Sequence, residues 1–131
     1  MPTVFEKLNL KEHREILVVN APSSFEPQLA SLVGVAVLRD PQKIKTVRFA
    51  LAFATKQAEV DSLAKLLSGK AEGDAVLWFA YPKGSSKKFK CEFNRDNGWD
   101  VLRGAGFDTV RQIAIDEDWS ALRFRRLEYI R

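Results

Sequence analysis

A chain of 131 residues, 46% hydrophobic and 29% charged, has the length of one domain and the composition of a packed one, which excludes a disordered segment. The formal charge of +4 is modest and acids are interspersed among the bases, so the broad basic face of a nucleic-acid binder is not expected. No apolar stretch approaches the roughly 18 residues that span a bilayer, residues 1–7 lack a secretory leader pattern, and the single Cys91 excludes an internal disulfide, so a cytoplasmic protein with no membrane partner is expected.

In chain order, Phe5–Leu10 reads as a short apolar-polar lead-in. Ile16-Leu17-Val18-Val19-Asn20 is rich in β-branched residues and stops at Ala21-Pro22, which predicts a first buried strand. Pro27–Leu32 predicts a short helix, with Ser24 or Phe25 near its start and the proline in its first turn. Val35–Leu38 predicts a second short strand, closed by Asp40-Pro41. Over Val47–Ala54, the bulky Val47, Phe49, Leu51 and Phe53 alternate with Arg48, Ala50, Ala52 and Ala54. That pattern predicts a strand covered on both sides, with an element packed closely over the alanines. Val60, Leu63, Ala64 and Leu67 then fall at i, i+3, i+4 and i+7 of an amphipathic helix, for which Gly69 supplies a C-terminal stop.

The segment Ala75–Tyr81 is apolar at every position and runs through Pro82 into Lys83-Gly84-Ser85-Ser86-Lys87-Lys88. Continuous apolarity predicts a strand buried on both faces. With the preceding strand and helix it forms a right-handed βαβ unit. Beyond the basic loop, Asp96 can cap a short helix over Gly98–Arg103, ended by Gly104 and Gly106. Thr109–Ile115 and Ala121–Tyr129 predict two strands joined by the short Asp116–Ser120 link, hence an antiparallel hairpin. Leu122 and Phe124 share one parity and Leu127 and Tyr129 the other, which predicts a bulge near Arg125-Arg126. With no repeats or linkers, residues 1–131 read as a single α/β domain.

Chemistry-bearing constellations are sparse. One histidine, His13, and one cysteine cannot build a zinc or iron set, and three acids in the tight turn Asp116-Glu117-Asp118 read as solvated, so no metal is expected. His13 lies in a charged segment and reads as a surface residue, while the lysines near Cys91 could lower its thiol pKa; neither has an evident catalytic partner. Neither G-x-G-x-x-G nor the P-loop pattern occurs, and the turn Asn20–Ser24 has no glycine to admit a pyrophosphate, so no cofactor is expected. The loop after the buried strand does carry anion chemistry: the cations Lys83 and Lys87, the hydroxyl of Ser85 and a flexible Gly84. Loops at the carboxyl ends of parallel strands are where ligands bind in open α/β sheets. Asp116 and Trp119 are the residues that could complete such a site, although Trp119 reads first as a residue packed over the core and only second as a ligand-stacking one.

Several stretches resemble a family of small bacterial proteins described only as a domain of unknown function. They are Lys7–Lys11, Ile16–Pro22, Asp74, Leu77-Trp78, Tyr81-Pro82-Lys83 and Ile115–Phe124, in that order along the chain. Phe93–Gly98 departs from the family pattern, which begins an acidic helix there. A strand ending in Pro-Lys, a short helix and a terminal hairpin are in turn similar to the C-terminal half of class I methyltransferases. That similarity implies a Rossmann-like, three-layer mixed sheet, mostly parallel with an antiparallel C-terminal hairpin. It implies no assigned activity and, without the glycine-rich first turn, no bound methyl donor.

The expected function is a non-catalytic ligand-binding or accessory module with an anion-binding loop at the sheet edge. Its partner would be an anionic small molecule or a protein, and Lys83, Ser85, Lys87, Asp116 and Trp119 are the candidate ligand-binding residues. The alternatives are an enzyme acting on an anionic small molecule, with Lys83 holding the anion and Asp116 or Glu117 as base, or a structural protein that self-associates through its terminal strand.

Overall fold

The computed structural model describes residues 4–87, 90–93 and 97–130. Its elements, in chain order, are helix α1 (Val4–Lys7), strand β1 (Glu15–Val19), helix α2 (Glu26–Ala30), strands β2 (Ala36–Leu38) and β3 (Val47–Phe53), and helix α3 (Gln57–Lys70). They continue with strand β4 (Ala71–Pro82), helix α4 (Asp100–Gly104) and strands β5 (Phe107–Ala114) and β6 (Trp119–Arg126). The six strands form one sheet in the order β2-β1-β3-β4-β6-β5. The first four neighbours run parallel; β6 lies antiparallel between β4 and β5. The expected Rossmann-like mixed sheet with an antiparallel end is therefore present.

Each face of the sheet has its own core. On one, Val60, Leu63, Ala64 and Leu67 of α3 pack over Ala50, Ala52, Leu77 and Phe79, and Trp99 at the start of α4 is fully buried with Phe124 and Phe93. The small side chains of β3 are what let α3 approach, as the alternation predicted. On the other, Phe49, Leu51, Phe53 and Trp78 pack with Phe5, Leu8, Phe25 and Leu29 from α1, α2 and their flanking turns. Trp78 has no exposed surface, and its indole N–H donates to the Leu8 carbonyl at 2.7 Å, so the lead-in segment is tied to the middle of β4.

Three expectations need correction. Phe5 belongs to a turn of helix, because Phe5 and Leu8 are buried and pull the segment onto the sheet. Gly69 lies inside α3, which runs on to Lys70 and ends where Ala71 turns extended into β4. No bulge lies at Arg125-Arg126: β6 ends at Arg126, and Leu127–Tyr129 is a 3₁₀ turn, whose rotation accounts for the change of parity. The hairpin irregularity falls instead on β5, between Thr109 and Arg111. Asp96 lies outside the described residues. A second irregularity separates Val47↔Ala71 from Phe49↔Val76, so two steps along β3 match five along β4. The bowed segment has Gly73 at φ +57° and brings Asp74 against Arg125 and Glu72 against Arg48.

Trp78→Phe removes the only donor to Leu8 that reaches through this core and leaves a buried carbonyl and a void. The expected loss is about 2–4 kcal/mol of unfolding free energy, read from urea denaturation with an unchanged m-value.

Candidate functional site

Strand order reverses at β1: the chain steps from β1 to β2 on one side, then returns to place β3 on the other. Loops from the carboxyl ends of the parallel strands gather at that edge, which is where open α/β sheets hold ligands. Three loops meet there. After β1, Asn20 sits in the left-handed region at φ +58°, a conformation asparagine tolerates better than most residues, and turns the chain sharply into Ala21-Pro22. After β3, Thr55 and Lys56 lead into α3, where the Glu59 carboxylate accepts both their amide N–H groups at 3.0 and 3.1 Å. After β4, Lys83 begins the basic loop.

The turn before β6 joins this edge because β6 is antiparallel and pairs Pro82 with Trp119. The Lys83 amide donates to the Asp118 carbonyl at 2.7 Å, and the Ser86 hydroxyl donates to the Asp118 carboxylate at 2.8 Å. Lys83 and the Asp116–Ser120 turn thus stand side by side. Asp116 is exposed, but its carboxylate accepts the amides of Asp118 and Trp119 at 2.8 and 2.9 Å, so it shapes the turn. Trp119 is only 4% exposed, with its ring edge-on to Phe53 at 5.2 Å; it forms the floor beneath the turn. Ser85 and Lys87 are exposed on the loop, and Lys83 is half-buried. Among the described residues neither Lys83 nor Lys87 pairs with a carboxylate. Lys88 lies outside them.

Beside this edge lies a cleft of about 450 Å³ between α3 and α4, lined by Gln57, Asp61, Asn97, Gly98, Asp100 and Val101. Gln57 organises it: its backbone amide donates to Glu92, and its side-chain amide donates to Asp61 and to the Gly98 carbonyl at 2.9 and 2.8 Å. Gly98 has φ +104°, and a Cβ there would lie 2.7 Å from both Gln57 Oε1 and Phe93 Cβ. Sequence reasoning passed over Gln57 and Asp61. The only signal was a glycine at a loop–helix junction, which carries no address for its partner.

A second cleft, about 440 Å³, opens at the opposite, amino edge between β1 and β3, lined by residues including His13, Glu15, Ile44, Arg48 and Phe49. Here the sequence expectation fails: His13 is half-buried, its ring tilted over Phe49 at 5.5 Å. Burial first, and Arg48 second, hold its pKa below the usual 6.5. Cys91 also departs from expectation. Burial pushes its thiol pKa up, outweighing a backbone hydrogen bond, so it is a poor nucleophile. The two residues belong to opposite edges, since the segment around Cys91 is tied to Thr55 through the Glu92 amide.

No protein-family model and no curated protein matches the chain in sequence. Solved structures do match it in shape. A SAM-dependent methyltransferase from Aquifex aeolicus aligns with a TM-score of 0.71 over 94% of this chain and 87% of its own, at 16% identity. The fold is methyltransferase-like. A ribosomal protein L11 methylase from Lactobacillus delbrueckii subsp. bulgaricus follows at 0.59, 10% identity, and 93% and 76% of the two chains. The N-methyltransferase NodS from Bradyrhizobium japonicum aligns at 0.55, 10% identity, and 94% and 92%. These likenesses correct the expectation of a non-catalytic binding or accessory module: the matching folds belong to proteins named for catalysis, and they favour the enzyme alternative. No helix among the described residues is long and apolar enough to cross a membrane.

Asp116→Ala removes two charge-assisted bonds to backbone amides and loosens the turn over Trp119; a loss of about 1–3 kcal/mol in urea denaturation is expected, with Asp116→Asn retaining most of the stability because its side-chain oxygen still accepts. For His13, the folded chain binds fewer protons than the unfolded chain as pH falls through about 6.5, so stability is present above that pH and declines toward the lower folded pKa. His13→Gln should flatten the stability profile below about pH 6.5; a slope unchanged by the substitution would assign the effect to another group.

Proposed function

We propose that this chain is an enzyme acting on an anionic small molecule, held at the carboxyl edge of its methyltransferase-like sheet by Lys83 and the loop that follows. The observation that carries this reading is the seam between that loop and the turn before β6, closed by Lys83 N–H to the Asp118 carbonyl at 2.7 Å and Ser86 to the Asp118 carboxylate at 2.8 Å. The seam fixes the backbone from which Lys83 extends at the edge where this sheet type binds ligands. Ser85 adds a hydroxyl donor and Lys87 a second cation within reach of the same anion. With Asp116 occupied by two backbone amides, Glu117 is the exposed carboxylate at the seam that can move a proton.

The relatives in fold are named for a methyl donor, and the residues at the ends of β1 and β2 do not fit one in a glycine-lined cradle. Pro22 offers no backbone N–H, and Phe25 and Phe53, each 1% exposed, close the wall with rings 5.1 Å apart. The charges nearest the ends of β1 and β2 are already paired with each other. Glu26 takes Arg39 through bonds of 2.7 and 2.9 Å, and Asp40 accepts the Gln42 amide. Among the described residues, the cations of this edge that form no ion pair are Lys56 after β3 and Lys83 and Lys87 after β4, where the two lysines share one loop.

A thermal-shift screen against phosphorylated metabolites, nucleotides and S-adenosyl compounds tests this reading. A ligand at 100 times its dissociation constant stabilises the fold by about 2.7 kcal/mol. A shift by an anionic metabolite that is lost in Lys83→Ala is the expected result, followed by turnover of that compound. A shift by S-adenosylmethionine that survives Lys83→Ala would place the ligand at β1 instead and overturn the assignment to the loop.

A further inference from the structure

The sheet face opposite α3 and α4 carries a cluster of guanidinium groups on its last two strands. Arg111 of β5 stands directly opposite Arg123 of β6, and both share this face with Ile113, Ala121 and Trp78. Arg125, two residues further along β6, lies on the same face. It is pinned to Asp74 by a two-pronged ion pair of 2.6 and 2.8 Å. Paired residues across an antiparallel ladder have Cβ atoms about 4.5–5.5 Å apart, and like charges there are destabilising. Arg111 and Arg123 form such a pair.

Neither cation has a carboxylate to itself among the described residues. Asp74 is taken by Arg125, and Asp108, the ladder partner of Arg125, receives the Arg103 guanidinium and the Thr109 amide. Among the described residues no carboxylate forms an ion pair with Arg111 or Arg123. Arg123 is half-buried, and its Nε–H is shielded from solvent without a hydrogen-bond partner. Burial, then the charges of Arg125 and Arg111, push its pKa down, and Asp74 opposes them only in part. A buried guanidinium N–H with no acceptor costs more than an ordinary polar group, since both a donor and a charge go unmet.

An oxyanion lying between the two forks would supply the acceptor that Arg123 Nε lacks and would offset the like charge of the pair. A carboxylate has two oxygens and matches one fork; a phosphate group has enough oxygens and enough charge for two. We propose that Arg111 and Arg123, flanked by the Asp74-anchored Arg125, form an anion site on the open face of β5 and β6 that takes the phosphate group of a small ligand. This site is separate from the Lys83 loop. Four residue steps along β6, roughly 13 Å of strand, separate Trp119 at the carboxyl edge from Arg123.

The test measures thermal midpoints and calorimetric binding with inorganic phosphate and with AMP, each against sodium chloride at matched ionic strength. Phosphate or AMP should raise the midpoint beyond the chloride control. Arg111→Gln should weaken the apparent affinity at least tenfold while leaving the ligand-free midpoint unchanged or higher, because a like-charge pair is removed. Arg111→Lys, which keeps the charge and loses the fork, should fall between. A stronger response to AMP than to phosphate assigns the group to a phosphate ester; an equal response assigns free phosphate. No response beyond chloride, or one untouched by Arg111→Gln, overturns the proposal, as does a response abolished by Lys83→Ala. That last outcome would move the phosphate to the carboxyl edge, so failure of this site and failure of the Lys83 assignment remain distinguishable.

Discussion

The structure depends on β4 being apolar on both faces. Residues 75–82 are all buried, and they are the only stretch that must pair in parallel with β3 on one side and antiparallel with β6 on the other. A strand in that position has no solvated face, so any charge within it would need a buried partner at a cost of several kcal/mol. The seven apolar residues avoid that cost. Alternate side chains then feed two cores: Leu77, Phe79 and Tyr81 under α3 and α4, Val76, Trp78 and Ala80 under α1 and α2. Trp78 and Tyr81 bring the polar side-chain atoms of that run: the indole N–H is satisfied by the Leu8 carbonyl from 70 residues away in sequence, and the Tyr81 hydroxyl accepts from the Gln112 side-chain amide at 2.9 Å.

This constraint also explains where the polar chemistry sits. A strand that tolerates no charge along its length concentrates charge at its two ends. At its carboxyl end Lys83 follows Pro82 directly; at its amino end the bowed segment presents Glu72 and Asp74 to Arg48 and Arg125. The irregular register between β3 and β4 falls in this same segment, where Glu72 and Asp74 form their ion pairs at the sheet's amino edge.

Much of this architecture was legible in sequence because it rests on periodicity. The alternation of large and small residues in Val47–Ala54 and the i, i+3, i+4, i+7 pattern of α3 each describe a face, and the faces fit together as read. The register could not be read this way. Nothing local to Arg111 and Arg123 says they are opposite each other, since that pairing follows from the β5 irregularity at Thr109/Arg111. His13 was misread for a related reason: its neighbours Lys11, Glu12, Arg14 and Glu15 are all charged, and only the tertiary approach of Phe49 half-buries it. Gly69 failed as a stop signal because α3 has no loop to enter. β4 begins at the next residue but one, so the chain leaves the helix by becoming extended and needs no left-handed cap. The adjacency of Lys83 and the Asp116–Ser120 turn depended on β6 inserting between β4 and β5, a topological choice with no short-range signature.

A methyltransferase-like sheet without a glycine in the turn after β1 raises the question of what such an edge still does well. Glycine matters there because a ligand must touch backbone. Here Asn20 makes the left-handed turn with a side chain where glycine has none, and Phe25 and Phe53 are buried with their rings 5.1 Å apart. Binding at such an edge must then rely on side chains, and long cationic ones are suited to it because they reach an anion without a close backbone. Lys83 meets that requirement at the carboxyl edge. The paired arginines of β5 and β6 meet it on the sheet face, where a half-buried guanidinium with an unmet donor is retained despite its cost to the folded state. The unmet Nε–H of Arg123 is the donor that a ligand oxygen would complete.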